Sequence, residues 1–336
     1  MPIVKKTARI EWFPISFFSL VMGLTGFTIA LQKLETILRI PIHFSQYVLF
    51  STIGLFVIFC VMYALKILFY SHAVKKEFNN PVSMNFFSTF SISLLLLSAA
   101  LLTSSPSMKS FARYMWITGF VLHFLLMLKI ISIWFHNDKF EVHHMNPAWF
   151  LTPVGNILVP IAGVYFSSHE FCWFFLSVGL MLWFVLLVIF FNRIIFHSPL
   201  PEHLLPTFFI LLAPPAVTFI SLVGLIGSIT IISKIFYYFS LFLAILLVTQ
   251  IKIFYKIKFS LAWWAYSFPT TALTIASIIM FEKSQIIAFK FISYFFITIV
   301  CAIILMLSLR TLSAMFKKRI CLPPESQHPL TQHSQL

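Results

Sequence analysis

Phe259-Ser-Leu-Ala-Trp-Trp-Ala-Tyr-Ser-Phe-Pro-Thr-Thr-Ala-Leu-Thr-Ile-Ala-Ser-Ile-Ile-Met-Phe281 is an apolar run interrupted by hydroxyl residues and one proline, Pro269. A second apolar run, 287–311, follows a short polar break; it has no proline and carries Arg310 at its far end. A helix needs about 20 mostly apolar residues to cross a bilayer, and both runs reach that length. The pair reads as a helical hairpin with two unlike arms. Proline withholds a backbone donor and kinks the first arm, which is tolerable at membrane depth only where neighbouring protein or a watery cavity satisfies the freed carbonyl. The second arm is a straight apolar rod whose terminal cation can snorkel to lipid phosphate and complements the negative end of the helix dipole.

Working outward from this pair, the same alternation fills the chain. Apolar runs fall at 14–34, 44–69, 83–103, 110–134, 147–167, 171–196, 203–227, 233–255, 259–281 and 287–311. Prolines sit within or just before the odd runs, at Pro14, Pro81, Pro153, Pro160, Pro206, Pro214, Pro215 and Pro269, and the even runs contain none. The even runs end on Lys66, Lys129, Arg193, Lys252 and Arg310, spaced 63, 64, 59 and 58 residues apart. This predicts an all-α integral membrane protein of ten transmembrane helices arranged as five tandem helical hairpins, kinked odd helices inside and even helices outside. The expected division is a tail over 1–13, the helical domain over 14–311 and a tail over 312–336. The expected kinks are Pro14, Pro160, Pro215 and Pro269. The amino terminus carries Lys5, Lys6 and Arg9 and shows no small-residue cleavage site, so the first run is expected to be a retained span and not a removed signal peptide.

Composition narrows the function. Of 336 residues 60% are hydrophobic and 10% charged, far from the balance of a soluble domain. Ten spans leave no room for a nucleotide-binding or catalytic domain, and the nine glycines form no phosphate-cradling motif, so neither an enzyme nor a cofactor is expected. Cys60, Cys172, Cys301 and Cys321 form no paired pattern. Sixteen of the 23 Lys and Arg fall on one side of the ten spans, which places both termini in the cytoplasm. The same scatter over membrane-flanking loops accounts for the net charge of +14 without nucleic acid. The terminal cations of the even spans read either as topology signals or as an anion-attracting ring.

Glu11, Glu35, Glu77, Asp138, Glu141, Glu170, Glu202, Glu282 and Glu325 all map to loops, tails or span ends. Cation pores and proton-coupled carriers commonly hold acidic groups at mid-membrane, and none is expected here. His123, inside the fourth span, reads as a satisfied structural histidine or as a proton relay. The inner helices offer small and hydroxyl side chains. Candidate pore-lining residues are Ser16, Gly23, Asn156 and Thr271, either as a wall that donates weak hydrogen bonds to a passing anion or as small residues that let helices approach closely. His136, Asp138, Glu141, His143 and His144 have metal-ligand side chains at no standard zinc spacing, and no metal is expected.

The run from Phe259 to Ala272 closely resembles the corresponding helix of the tellurite-resistance/dicarboxylate transporter family, which includes the bacterial TehA proteins and the plant slow anion channels. Phe13–Leu24, Asn146–Gly163 and Leu211–Val217 agree as well. The resemblance implies ten helices in two rings, homotrimers with one pore per subunit, and a pore-blocking phenylalanine at Phe268. Members include selective anion channels, proton-coupled malate carriers and sulfite exporters. The long soluble tails of the plant channels are missing, so kinase control through such a tail is not expected, and the short form suggests a bacterial inner membrane. The expected function is a passive channel for small inorganic anions such as nitrate and chloride, plugged by Phe268. The alternatives are a proton-coupled dicarboxylate carrier, a tellurite or sulfite efflux transporter, and a membrane scaffold that transports nothing.

Overall fold

The computed structural model describes residues 9–39, 43–136, 140–255 and 257–322. Lys5, Lys6, Asp138, Lys139, Lys256, Glu325 and the outer parts of both tails lie outside the described residues. Ten principal helices follow in order: α1 Phe18–Leu38, α2 Phe44–Phe69, α3 Ser88–Ser104, α4 Lys109–His136, α5 Leu151–Gly163, α6 His169–Phe196, α7 Ala213–Ile226, α8 Ile231–Thr249, α9 Ser267–Ser284 and α10 Ile287–Phe316.

Each odd helix grows without a break out of a tighter 3-10 segment: Ile15–Phe17, Ser83–Phe87, Pro147–Phe150, Glu202–Leu212 and Leu261–Tyr266. Prolines explain three of these lead segments, those of α5, α7 and α9. Pro153, Pro214, Pro215 and Pro269 occupy the first turn of their α-helices, where no intrahelical donor is needed. A proline there cannot call on the carbonyl four residues back, so the chain before it is free to wind with i→i+3 bonds. This differs from the expected bend within one continuous α-helix: Pro14 precedes its 3-10 turn, Pro215 and Pro269 lie where the two helix types meet, and Pro160 alone of the four stands inside an α-helix. Near Pro160, neighbouring helices donate to carbonyls of the same turn, Trp116 Nε1 to that of Val159 at 2.9 Å and Ser221 Oγ to that of Ile157 at 2.6 Å.

The odd helices close a ring. α1 packs on α3, α3 on α5, α5 on α7, α7 on α9, and α9 returns to α1. The even helices lie outside, each touching two successive members of that ring: α2 on α1 and α3, α4 on α3 and α5, α6 on α5 and α7, α8 on α7 and α9, α10 on α9 and α1. Burial follows the same division. The apolar cores of the segments containing α1, α3, α7 and α9 are 67–89% buried, against 28–39% for the five even helices. The outer faces show Phe50, Val57, Leu125, Val188, Ile245 and Leu305, all more than half exposed. An apolar belt of that extent is a surface for lipid, not for water. Among the described residues nine helical segments are long and apolar enough to cross a bilayer, and Pro147–Gly163 is apolar but shorter.

Candidate functional site

Phe268 is the second residue of α9, placed directly after the 3-10 segment Leu261–Tyr266 and before Pro269. It is 5% exposed although its helix belongs to the inner ring. Gly26 of α1 makes room for it: a Cβ there would stand 3.3 Å from Phe268 Cδ2 and 2.5 Å from Thr271 Oγ1. The aromatic ring and the threonine thus lie over the part of α1 that has no side chain.

The other candidate lining residues are placed less uniformly. Ser16 is half-buried in the lead of α1, and its carbonyl accepts from Ser19 Oγ at 2.5 Å. Gly23 is buried against Ser267 and Trp264, the close approach of two helices. Asn156 is fully buried with its amide nitrogen 2.9 Å from Met127 Sδ on α4, so this side chain is turned toward the outer ring. Thr271 is fully buried, and its hydroxyl donates to the Phe268 carbonyl at 2.7 Å. Thr25, Thr218, Thr270, Thr274 and Ser277 also donate to backbone carbonyls of their own helical segments, in each case four residues back. These hydroxyl protons are thus bonded within their own helical segments. In a helix a short hydroxyl reaches its own backbone first, and the proton is used there.

Two of the five terminal cations turn inward, against the expectation that they snorkel to lipid. Lys129, Lys252 and Arg310 are exposed, whereas Lys66 and Arg193 are buried. Lys66 Nζ donates to Glu77 Oε2 at 2.6 Å and to the Phe13 carbonyl at 2.9 Å. Glu77, on the short helix Ser71–Phe78, also accepts from the Ile15 amide at 2.7 Å and from Tyr63 Oη at 3.2 Å. The ion pair thus serves the carbonyl and the amide on either side of Pro14, where no regular ladder can form. Glu35 is a buried carboxylate near the end of α1; it accepts the Ser45 amide at 2.8 Å and hydroxyl at 2.6 Å, and so closes the first turn of α2. Residue types alone could not reveal these roles, because each joins groups from different segments. The regular spacing of the cations was the one available signal.

His123 is fully buried, with Nδ1 2.9 Å from Ser91 Oγ and Nε2 2.8 Å from the Thr152 carbonyl. Both nitrogens are engaged by protein, and the ring fills the space that a side chain on Gly155 would need. That arrangement matches the structural reading of this residue. In the loop after α4, His143 pairs with Glu141 at 3.0 Å, and His144 Nδ1 accepts the Glu141 amide at 3.2 Å. Burial and the neighbouring His143 hold the His144 imidazole below its ordinary pKa, against the pull of Glu141.

A closed ring of helices that each follow a 3-10 lead, inside an apolar belt, defines a multi-pass helical membrane protein. The chain belongs to the family described as voltage-dependent anion channels, whose profile matches residues 12–312. It is 31% identical to the S-type anion channel SLAH3 of Arabidopsis thaliana over 83% of this chain and 44% of that protein. It is 28% identical to the uncharacterized transporter MJ0576 of Methanocaldococcus jannaschii, over 85% of this chain and 87% of that one. A tellurite resistance protein TehA homolog of Haemophilus influenzae is 22% identical over 57% of this chain and 55% of its own. The chain spans about half the length of the plant channels it matches.

Proposed function

We propose that the protein is a passive channel for small inorganic anions, with the pore along the axis of the inner ring and Phe268 as its plug. The observation that carries this reading is the burial of Phe268 within a closed ring of helices, in a chain whose family includes named anion channels. An aromatic side chain in a narrow apolar constriction excludes water, and an ion does not cross a dewetted segment cheaply. Opening is a shift of rotamer or helix that a signal could bias by a few kcal/mol. Because the hydroxyls nearby donate to their own helices, the wall has little with which to replace an anion's water, and weakly hydrated anions such as nitrate should pass best.

Ten spans fit this reading. The Pro147–Gly163 segment has 4 residues in 3-10 and 13 in α conformation. With rises of about 2.0 and 1.5 Å per residue it covers roughly 28 Å, close to the ~30 Å hydrocarbon core. Both termini in the cytoplasm, a cell-membrane location, homotrimers, and lipid and small anions as partners complete the proposal. A proton-coupled dicarboxylate carrier or tellurite/sulfite exporter would look to His123, whose nitrogens are occupied by Ser91 and Thr152. Voltage clamp of reconstituted protein under chloride, nitrate and malate gradients is the test. A reversal potential that tracks the anion gradient supports the channel, and flux that tracks the proton gradient refutes it.

A further inference from the structure

The third helix pair repeats the arrangement at Lys66 with one component missing. Lys66, at the end of α2, reaches back to the Phe13 carbonyl just before the lead of α1, and Glu77 neutralises it. Arg193, at the end of α6, reaches back to the His143 carbonyl at 3.2 Å, shortly before the lead of α5. It is 1% exposed, as deeply buried as the core residues Phe150 and Phe190. Yet Nε and Nη1 have no hydrogen-bond partner, and among the described residues no carboxylate pairs with it. One turn earlier on the same helix, Phe190 packs against Phe150 and Phe208.

A guanidinium carries five N–H donors in a planar fork and does not lose its proton in proteins. Here one donor is used, and each edge of the fork keeps an unused one. A buried charge in that condition is costly unless it is paired and hydrogen-bonded. At Lys66 the pairing group is one carboxylate, planar and singly negative. We infer that Arg193 is the base of a binding site for one small monovalent anion, held between the end of α6 and the residues leading into α5. The site lies on an outer helix, so it is a resident anion site separate from the plug at Phe268. Bound there, an anion would tie the end of α6 to the lead of an inner helix, as Glu77 ties α2 to the lead of α1.

The test reads binding and not conduction, so that its failure is distinguishable from failure of the channel proposal. The full chain, purified in detergent, is unfolded by heat in gluconate and then in increasing nitrate. Tm should rise and level off for the wild type and for Phe268→Ala, as expected of a ligand that binds only the folded state. Arg193→Met should show no such rise, and its Tm in gluconate should equal or exceed that of the wild type, because the unpaired donors are gone. A wild-type Tm indifferent to nitrate, or an unchanged response in Arg193→Met, overturns the inference. Bromide provides a check that needs no variant: anomalous density in contact with Nε or Nη1 supports the site, and its absence at saturating bromide refutes it. A nitrate response that arises only in Asp138→Asn would assign the guanidinium to an internal counter-ion and also refute it.

Discussion

Glu77→Ala should unfasten the start of α1, and its cost can be worked from the contacts. The carboxylate takes three hydrogen bonds, from Lys66 Nζ at 2.6 Å, the Ile15 amide at 2.7 Å and Tyr63 Oη at 3.2 Å. The lysine and glutamate side chains are 4% and 12% exposed, so solvent screens the pair little. Summing roughly 1.5–3 kcal/mol for each bond to a charged group would overshoot, since part of the freed hydrogen bonding is regained from water. The better guide is the ~3–5 kcal/mol lost when one partner of a buried pair is removed and the other is left charged. Lys66→Met in the same background should recover part of that loss, because the stranded ammonium is then gone. A double-mutant cycle on unfolding free energies in detergent separates the coupling from the single effects. If Glu77→Ala costs less than about 1 kcal/mol, as an exposed pair would, the pair does not replace the backbone bonds interrupted at Pro14 and the reasoning fails.

Phe268→Ala should raise basal anion conductance several-fold while the protein assembles normally; a variant that instead loses about 3–5 kcal/mol of stability with unchanged conductance would make this residue ordinary packing. Bi-ionic reversal potentials should rank nitrate above chloride, and a preference for fluoride or sulfate would count against an apolar, donor-poor constriction. Gly155→Ala presses a methyl group into the His123 ring and should cost about 1–3 kcal/mol by thermal unfolding. His123→Ala in the Gly155→Ala background should relieve part of that strain, and strict additivity of the two changes would show that they do not touch.

The alternation of proline-bearing with proline-free apolar runs was determined by the amino-acid sequence alone, whereas the helix ends shifted by several residues and the 3-10 leads came only with the fold. A bilayer imposes a length of apolar chain and demands that every backbone group be satisfied, and both demands act locally. The sequence singled out Phe268 by its position beside Pro269 and its resemblance to the family's pore-blocking residue; the fold adds its burial against Gly26, and its role as a plug is a proposal. Ring closure by α9 against α1 was not legible, since it depends on how helices far apart in sequence turn toward one another. Nor was the choice by which Lys66 and Arg193 point inward while Lys129, Lys252 and Arg310 stay exposed. That choice depends on whether a carbonyl freed near a proline, 53 residues away for Lys66 and 50 for Arg193, comes within reach of the cation. The threonines of α9 show the remaining limit: composition marks a hydroxyl, but only the folded helix shows that its proton already belongs to a backbone oxygen.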